Sequence, residues 1–228
     1  VSSGYTLPVS STNGFYILKY NSSGTLVGFT NFIGTGSCYG YSIAPEPSGN
    51  VYVTGYYTST TTVQINNLAL NSSLVSSSYT LPNSTGSAVF ILKYNSSGIL
   101  VGFTRIDGTS GDVGYGITVD SSGNVYTTGY YISTTTVQIN NLALNSSLVS
   151  SGYTLPAANT SGTVFILKYN SSGTLVGFTN LDGTSNDQGY GITVDSSGNM
   201  YTTGYYTSTT TVQINNLALN SSLVSSGY

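Results

Sequence analysis

Histidine and tryptophan are absent from this 228-residue sequence, cysteine occurs once, and charged residues make up only 5% of it. Each shortage closes off a class of function. Without His the chain lacks the side chain best suited to proton transfer near neutral pH. Cys38 therefore has no imidazole to activate it as a nucleophile. A single cysteine makes no intrachain disulfide, so Cys38 reads as a small loop residue, with an intermolecular link as its other use. The four cations (Lys19, Lys93, Arg105, Lys168) and a net charge of −3 cannot neutralise a nucleic-acid backbone. No apolar run nears the roughly 20 residues that span a bilayer as a helix, and no targeting segment is visible. Enzyme, nucleic-acid binder and membrane-spanning helix are all expected to be absent, and no cofactor is expected.

What remains is hydroxyl-rich and apolar. Ser and Thr supply nearly a third of the chain, and Tyr occurs 21 times. Hydroxyls rather than charges must hydrate the surface. The 39% of apolar and aromatic residues fall in short alternating runs, enough to build packed sheets, so disorder is rejected.

The strongest signal is internal repetition. The chain begins and ends on VSSGY, and Tyr5, Tyr79, Tyr153 and Tyr228 open equivalent stretches at steps of 74, 74 and 75 residues. The block STTTVQINNLALNSSLVSS recurs unchanged at 59–77, 133–151 and 208–226. Three repeats are expected, at 5–78, 79–152 and 153–227, as a window of a longer tandem array whose neighbours bury one another's faces.

Within a repeat the apolar period is two, not 3.6. In the second, VFILKY puts Phe90, Leu92 and Tyr94 on one face, NSSG turns the chain, and ILVGFTR runs back. GYGITVD follows, with Tyr115, Ile117 and Val119 opposite Gly114, Gly116 and Thr118; SSGN turns again and VYTTGYY returns. These are two hairpins, or four strands, per repeat, with a further strand in TVQINNLAL and no helix. The glycines of GYGITV would let another backbone approach closely.

The run FILKYNSSGTLVGFTNLDGTSNDQGYGITVDSSGNMYTTGYY resembles the β-propeller repeats, of the seven-bladed propeller type, found in bacterial surface proteins and giant viruses. The resemblance covers about 42 residues of each repeat and fits the later two best. The first repeat carries Ile33 and Cys38 where the others have Asp107/Asp182 and Asp112/Asp187, and EPSGN in place of DSSGN. The resemblance implies an all-β fold of tandem propeller-type repeats: four-stranded antiparallel blades plus an inserted strand. It implies little about activity, since propellers host many functions. Three blades are too few to close a propeller. More units follow, several chains combine, or the units form an open, filament-forming array.

Candidate sites are few. The acids Glu46, Asp107, Asp112, Asp120, Asp182, Asp187 and Asp195 mostly sit in turn settings, where a short acceptor caps its own loop. A calcium site is the chemical alternative, built from Asp112, Asp120 and Asn124 in the second repeat and Asp187, Asp195 and Asn199 in the third. N-glycosylation acceptor motifs occur at Asn21, Asn71, Asn83, Asn95, Asn145, Asn159, Asn170 and Asn220, no more often than this Ser/Thr content produces by chance. Asn21, Asn95 and Asn170 fall at expected hairpin tips, where a sugar would face solvent. YTTGYY places Tyr201, Thr203 and Tyr205 on one strand face and Tyr206 on the other, either as blade-interface filling or as a sugar-stacking surface.

Uniform repeats and scarce chemistry point to a structural protein of the cell exterior or virion surface, the subunit or shaft of a fibre associating head to tail. The competing expectation is a propeller that binds glycans or a protein through its variable segments PVSSTNG, PNSTGSA and PAANTSG.

Overall fold

A computed structural model of the chain describes residues 2–69, 74–144, 147–158, 161–219 and 224–225. The described residues form eighteen strands and no helix. None therefore offers a helix long and apolar enough to cross a membrane. The all-β expectation holds, and the strands fall where the period-two runs and Gly-containing turns put them.

Two complete four-stranded antiparallel sheets occupy the middle of the chain. The first is ordered β3 (Cys38–Pro45), β4 (Val51–Tyr57), β7 (Ala88–Tyr94), β8 (Leu100–Ile106). The second repeats it as β9 (Val113–Val119), β10 (Val125–Tyr131), β13 (Thr163–Tyr169), β14 (Leu175–Leu181). On either side stands a two-stranded sheet, β1 (Phe15–Tyr20) with β2 (Leu26–Phe32) and β15 (Gln188–Val194) with β16 (Met200–Tyr205).

The blade is thus four-stranded as expected, but its phase differs from the repeat. Each sheet takes its first hairpin from one repeat and its second from the next. Periodicity identifies a strand and its faces; it does not say which edge the strand joins. Here β4 pairs with β7, from Val51↔Tyr94 to Tyr57↔Ala88, and β10 pairs with β13 in the same register.

The expected inserted strand has a partner. TVQINN forms β5 (Val63–Asn67) and pairs with β6 (Val75–Leu81), which contains the start of YTLP; β11 (Val137–Asn141) and β12 (Val149–Leu155) do the same. The third copy keeps a short form, β17 (Asn215–Asn216) with β18 (Val224–Ser225). The first two insert hairpins are threaded between β4 and β7 and between β10 and β13, inside a blade rather than between blades.

These hairpins work as buttresses. Ala69, just past β5, bridges Phe29 of the outer strand β2, and Ala143 and Ala218 bridge Phe103 and Phe178 in the same way. An otherwise open sheet edge is thereby covered. Asn67 Oδ1 accepts the Leu100 N–H, and the Leu68 N–H reaches the Gly98 carbonyl at 2.7 Å. Gly98 has φ +79°, and a Cβ there would collide with the Leu68 carbonyl, so this turn requires glycine.

Apolar side chains between the sheets form two cores. One lies between β1–β2 and the first complete sheet, where Phe90 stacks on Phe15 at 4.8 Å and on Phe32 at 5.3 Å. The other joins the two complete sheets through Val89, Ile91, Ile106, Phe165, Leu167 and Tyr169. Each such Phe or Leu contributes about 1.5–3 kcal/mol by leaving water.

Candidate functional site

The side chains that the fold aims most deliberately are tyrosines. Pairing of β3 with β4 skips Tyr41, because Gly40 faces Gly55 and Ser42 faces Thr54. Pairing of β9 with β10 skips Tyr115 and that of β15 with β16 skips Tyr190, with the same shift. Each of these tyrosines is therefore the extra residue of a β-bulge, a device that bends a strand and re-aims a side chain. The facing glycines are required: a Cβ on Gly55, Gly129 or Gly204 would strike the carbonyl of Tyr39, Val113 or Gln188.

The bulges point the three rings at one another across successive sheets. Tyr41 and Tyr115 have ring centroids 5.0 Å apart, and Tyr115 and Tyr190 are 5.1 Å apart. Each ring also meets the middle tyrosine of its YTTGYY-type strand: Tyr56 at 6.1 Å, Tyr130 at 6.0 Å and Tyr205 at 5.7 Å. With Tyr39, seven rings make a continuous track along the inner strands. Tyr41 and Tyr190 are each 47% exposed, so the track borders solvent. Burial, then the neighbouring phenols, push Tyr56 and Tyr115 up to about 12. Both phenols are neutral at physiological pH.

The expectation that Tyr115 alternates with Gly114 and Gly116 on a regular strand is thus corrected; the bulge takes it out of the alternation. The close-approach role of the glycines holds, since a Cβ on Gly116 would sit 3.1 Å from the Tyr190 carbonyl of the next sheet. YTTGYY divides its labour. Tyr52, Tyr57, Tyr126 and Tyr131 are buried in the cores, while Tyr56 and Tyr130 join the track.

The acids act as latches and turn caps. Asp112 is fully buried; its carboxylate accepts the Gly108 N–H and, at 2.9 Å, the Ile132 N–H, tying the start of β9 to the end of β10. Burial, opposed by these two N–H groups, pushes it up to about 7. Asp187 repeats the latch with Gly183 and Thr207. Cys38 replaces it in the first repeat, taking the Gly34 N–H on Sγ at 3.1 Å. Far from being a loop residue, Cys38 opens β3 and is fully buried.

Asp120 caps the next turn. Its carboxylate accepts the Ser122 and Asn124 N–H groups (both 2.9 Å), the Asn124 amide (2.7 Å) and the Tyr126 hydroxyl (3.0 Å). Burial raises its pKa, but these donors outweigh burial and hold it below the usual carboxylate value. Asp195, Asn199 and Tyr201 repeat the arrangement, and Glu46, Asn50 and Tyr52 adapt it in the first repeat.

The structure does not assemble the calcium set as one shell. Asp112 and Asp120 stand at opposite ends of seven-residue β9, roughly 25 Å apart along the strand, and Asp187 and Asp195 flank β15 likewise. Asn124 and Asn199 turn their amide N–H groups toward the carboxylate. Among the described residues, no three His, Cys, Asp or Glu side chains gather as a metal site. Asp107 pairs with Arg105 at 2.9 Å, and Asp182 accepts the Thr163 hydroxyl.

Of the glycosylation candidates, Asn21, Asn95 and Asn170 do occupy hairpin turns, where their Oδ1 atoms cap backbone N–H groups of Thr25, Ile99 and Thr174. Asn83 is exposed in the loop before β7. Asn71, Asn145, Asn159 and Asn220 lie outside the described residues.

The lateral hairpins present open faces. Tyr16 on β1 is 62% exposed, whereas its counterparts Phe90 and Phe165 are fully buried; Leu18 and Tyr20 are exposed beside it. On β16, Tyr201 is exposed while Tyr52 and Tyr126 are not, and Tyr206 beyond it is 64% exposed.

Comparison with known proteins agrees with this architecture. The β-propeller repeat family profile matches residues 101–130, from β8 to β10. An uncharacterized WD repeat-containing protein of Acanthamoeba polyphaga mimivirus is 29% identical over 188 residues, which is 81% of this chain and 13% of that protein. The chain thus spans only a small part of that relative's length. The tandem four-stranded antiparallel sheets are the arrangement expected of β-propeller repeats, and the profile match falls within them.

Proposed function

We propose that the chain is a structural repeat of an extracellular or virion-surface assembly, continued head to tail by further repeats of the same kind. The observation that carries this reading is one seam, made twice inside the chain, whose two halves recur toward its opposite ends. Thr54 and Thr128 donate to the Phe90 and Phe165 carbonyls at 2.9 Å; the corresponding pair is Thr203 on β16 and Tyr16 on β1. Tyr57 and Tyr131 donate to the Pro82 and Pro156 carbonyls at 2.8 and 3.0 Å; the corresponding pair is Tyr206 and Pro8. Lys19 and Lys93 donate to the Ser96 and Ser171 carbonyls at 2.8 and 3.0 Å; the corresponding pair is Lys168 and Ser22. A second copy seating β1 on β16 would bury Tyr16, Leu18 and Tyr20 against the free edge and make these bonds. A heterologous contact of this kind extends unless its rotation closes.

Sedimentation velocity on three proteins tests it. The unmodified chain is expected to grow into higher oligomers with concentration. Tyr16→Lys blocks one end and Thr203→Lys the other, so each alone stays monomeric while their mixture stops at a dimer. An unmodified chain that stays monomeric at high concentration would remove this reading.

The glycan- or protein-binding alternative draws on the tyrosine track, whose exposed rings suit sugar faces. It requires that binding to a glycan be lost when Tyr41 and Tyr190 are both replaced by Ala.

A further inference from the structure

Tyr41, Tyr115 and Tyr190 occupy equivalent positions of the three repeats, each set on a bulge and each touching the next across a sheet-to-sheet seam. The fold spends three register shifts and their facing glycines on this contact. Core filling does not explain it, because even Tyr115, flanked by a ring on each side, is only partly buried.

We propose that these three tyrosines are a site of oxidative cross-linking, where a one-electron oxidant joins neighbouring rings and staples consecutive sheets covalently. In a biaryl the two centroids lie one carbon–carbon bond plus two ring radii apart. From separations of 5.0 and 5.1 Å, each pair reaches that distance by moving less than a bond length. The rings are inclined at 54° and 61°, so coupling needs each to pivot until its ortho carbon faces the other's. Tyr41 and Tyr190 are open to a dissolved oxidant. The chain has no other staple to use, since Cys38 is its single cysteine and is buried.

The chemistry balances with hydrogen peroxide as terminal oxidant and a haem peroxidase as catalyst. Each of two phenols yields one electron and its hydroxyl proton. The two phenoxyl radicals then couple, ortho carbon to ortho carbon. Each ring rearomatises by moving the hydrogen from its newly bonded carbon to its oxygen. Per link, two C–H bonds break, one C–C bond forms, both hydroxyls are restored, and one peroxide becomes two waters. Tyr115 has two ortho positions, so it can join Tyr41 on one side and Tyr190 on the other. Each link closes a loop of about one repeat, which restricts the unfolded chain as a disulfide does.

The sequence makes the test direct. Cleavage after Lys19, Lys93, Arg105 and Lys168 puts Tyr41, Tyr115 and Tyr190 on three different peptides, 20–93, 106–168 and 169–228. The full chain is treated with peroxidase and limiting peroxide, digested with trypsin, and analysed by mass spectrometry. Expected are joined peptides 20–93/106–168 and 106–168/169–228, each lighter by two hydrogens per link, with the blue fluorescence of a biphenol. Tyr115→Phe keeps the ring and should abolish both joins. Tyr41→Phe should abolish only the first, which separates loss of the link from loss of the fold. An equal mixture of isotopically heavy and light chains tells links within a chain from links between chains. Joins of 20–93 with 106–168 or of 106–168 with 169–228 that persist in Tyr115→Phe or are of mixed isotope, or no joined peptide while exposed tyrosines are oxidised, would each overturn the proposal. A mixed-isotope join of 20–93 with 169–228 would report head-to-tail association of copies.

Discussion

Tyr115 packs between Tyr41 and Tyr190, its own counterparts in the flanking repeats, and it does so from a bulge that removes it from strand pairing. One substitution opposite that bulge probes the whole arrangement. Gly129 pairs with Gly114 on the far side of the skipped residue, and a Cβ there meets the Val113 carbonyl and, at 2.9 Å, the Phe165 ring. Gly129→Ala is expected to cost about 2–3 kcal/mol, read from urea unfolding. It should also raise the exposure of Tyr115 to solvent quenchers. A neutral result would mean that the bulge tolerates a side chain and that its geometry is not set by this contact.

The second prediction concerns backbone strain in the buttress hairpins. Ser78 has φ +68° at the position where the other copies of this segment carry Gly4 and Gly152, at +77° and +84°. The left-handed region costs an L residue about 1 kcal/mol relative to glycine. Ser78→Gly should therefore stabilise the chain by about 1 kcal/mol, and Gly152→Ser should destabilise it by a similar amount. Thermal melts of the pair that move in the same direction would contradict this account.

A third prediction uses pH. The sequence has no His, so few groups titrate between pH 5 and 8. Asp112 does so because burial pushes its carboxyl up to about 7. The folded state then keeps a proton that the unfolded chain releases near the ordinary carboxylate value of about 4. The resulting stability is full below that value and is lost as pH rises through the folded pKa, with a slope of at most about 1.4 kcal/mol per pH unit. Asp112→Cys, which copies Cys38, should flatten this slope. The check is the melting temperature of both proteins from pH 4 to 8, and an unchanged slope in the variant would assign it to another group.

Much of this architecture was legible in the sequence, and the limits are physical. VFILKY and VYTTGYY read as strands because apolar side chains recur at period two, and they are most of β7 and all of β10. The latch at Asp112 was not legible: a carboxylate beside glycines looks like any turn cap until the Ile132 N–H is seen approaching from twenty residues away. The aim of Tyr115 was hidden for a related reason. A bulge is a property of two strands at once, and only the glycines flanking the tyrosine and Gly129 opposite hinted at it. The pairing of β4 with β7 crosses an insert hairpin, so no local pattern could announce it.

That pairing yields the last prediction. If the repeat were the folding unit, a fragment of two whole repeats, 5–152, would be the natural one to express. It contains one complete sheet and the β1–β2 hairpin packed on it, but separates β9–β10 from β13–β14. The fragment 38–181 is of nearly equal length and runs from β3 to β14. It keeps both complete sheets and the core between them, including Val89, Ile91, Phe165 and Leu167. Breaking the β10–β13 edge removes a full strand ladder and uncovers Tyr126 and Tyr131, each worth about 1.5–3 kcal/mol of burial. In a repeat array, stability resides largely in the contacts between neighbours. The fragment cut along sheets should therefore melt cooperatively and at higher temperature than the fragment cut along repeats. The reverse order would mean that the hairpins within one repeat hold together more strongly than the sheet they build with the next.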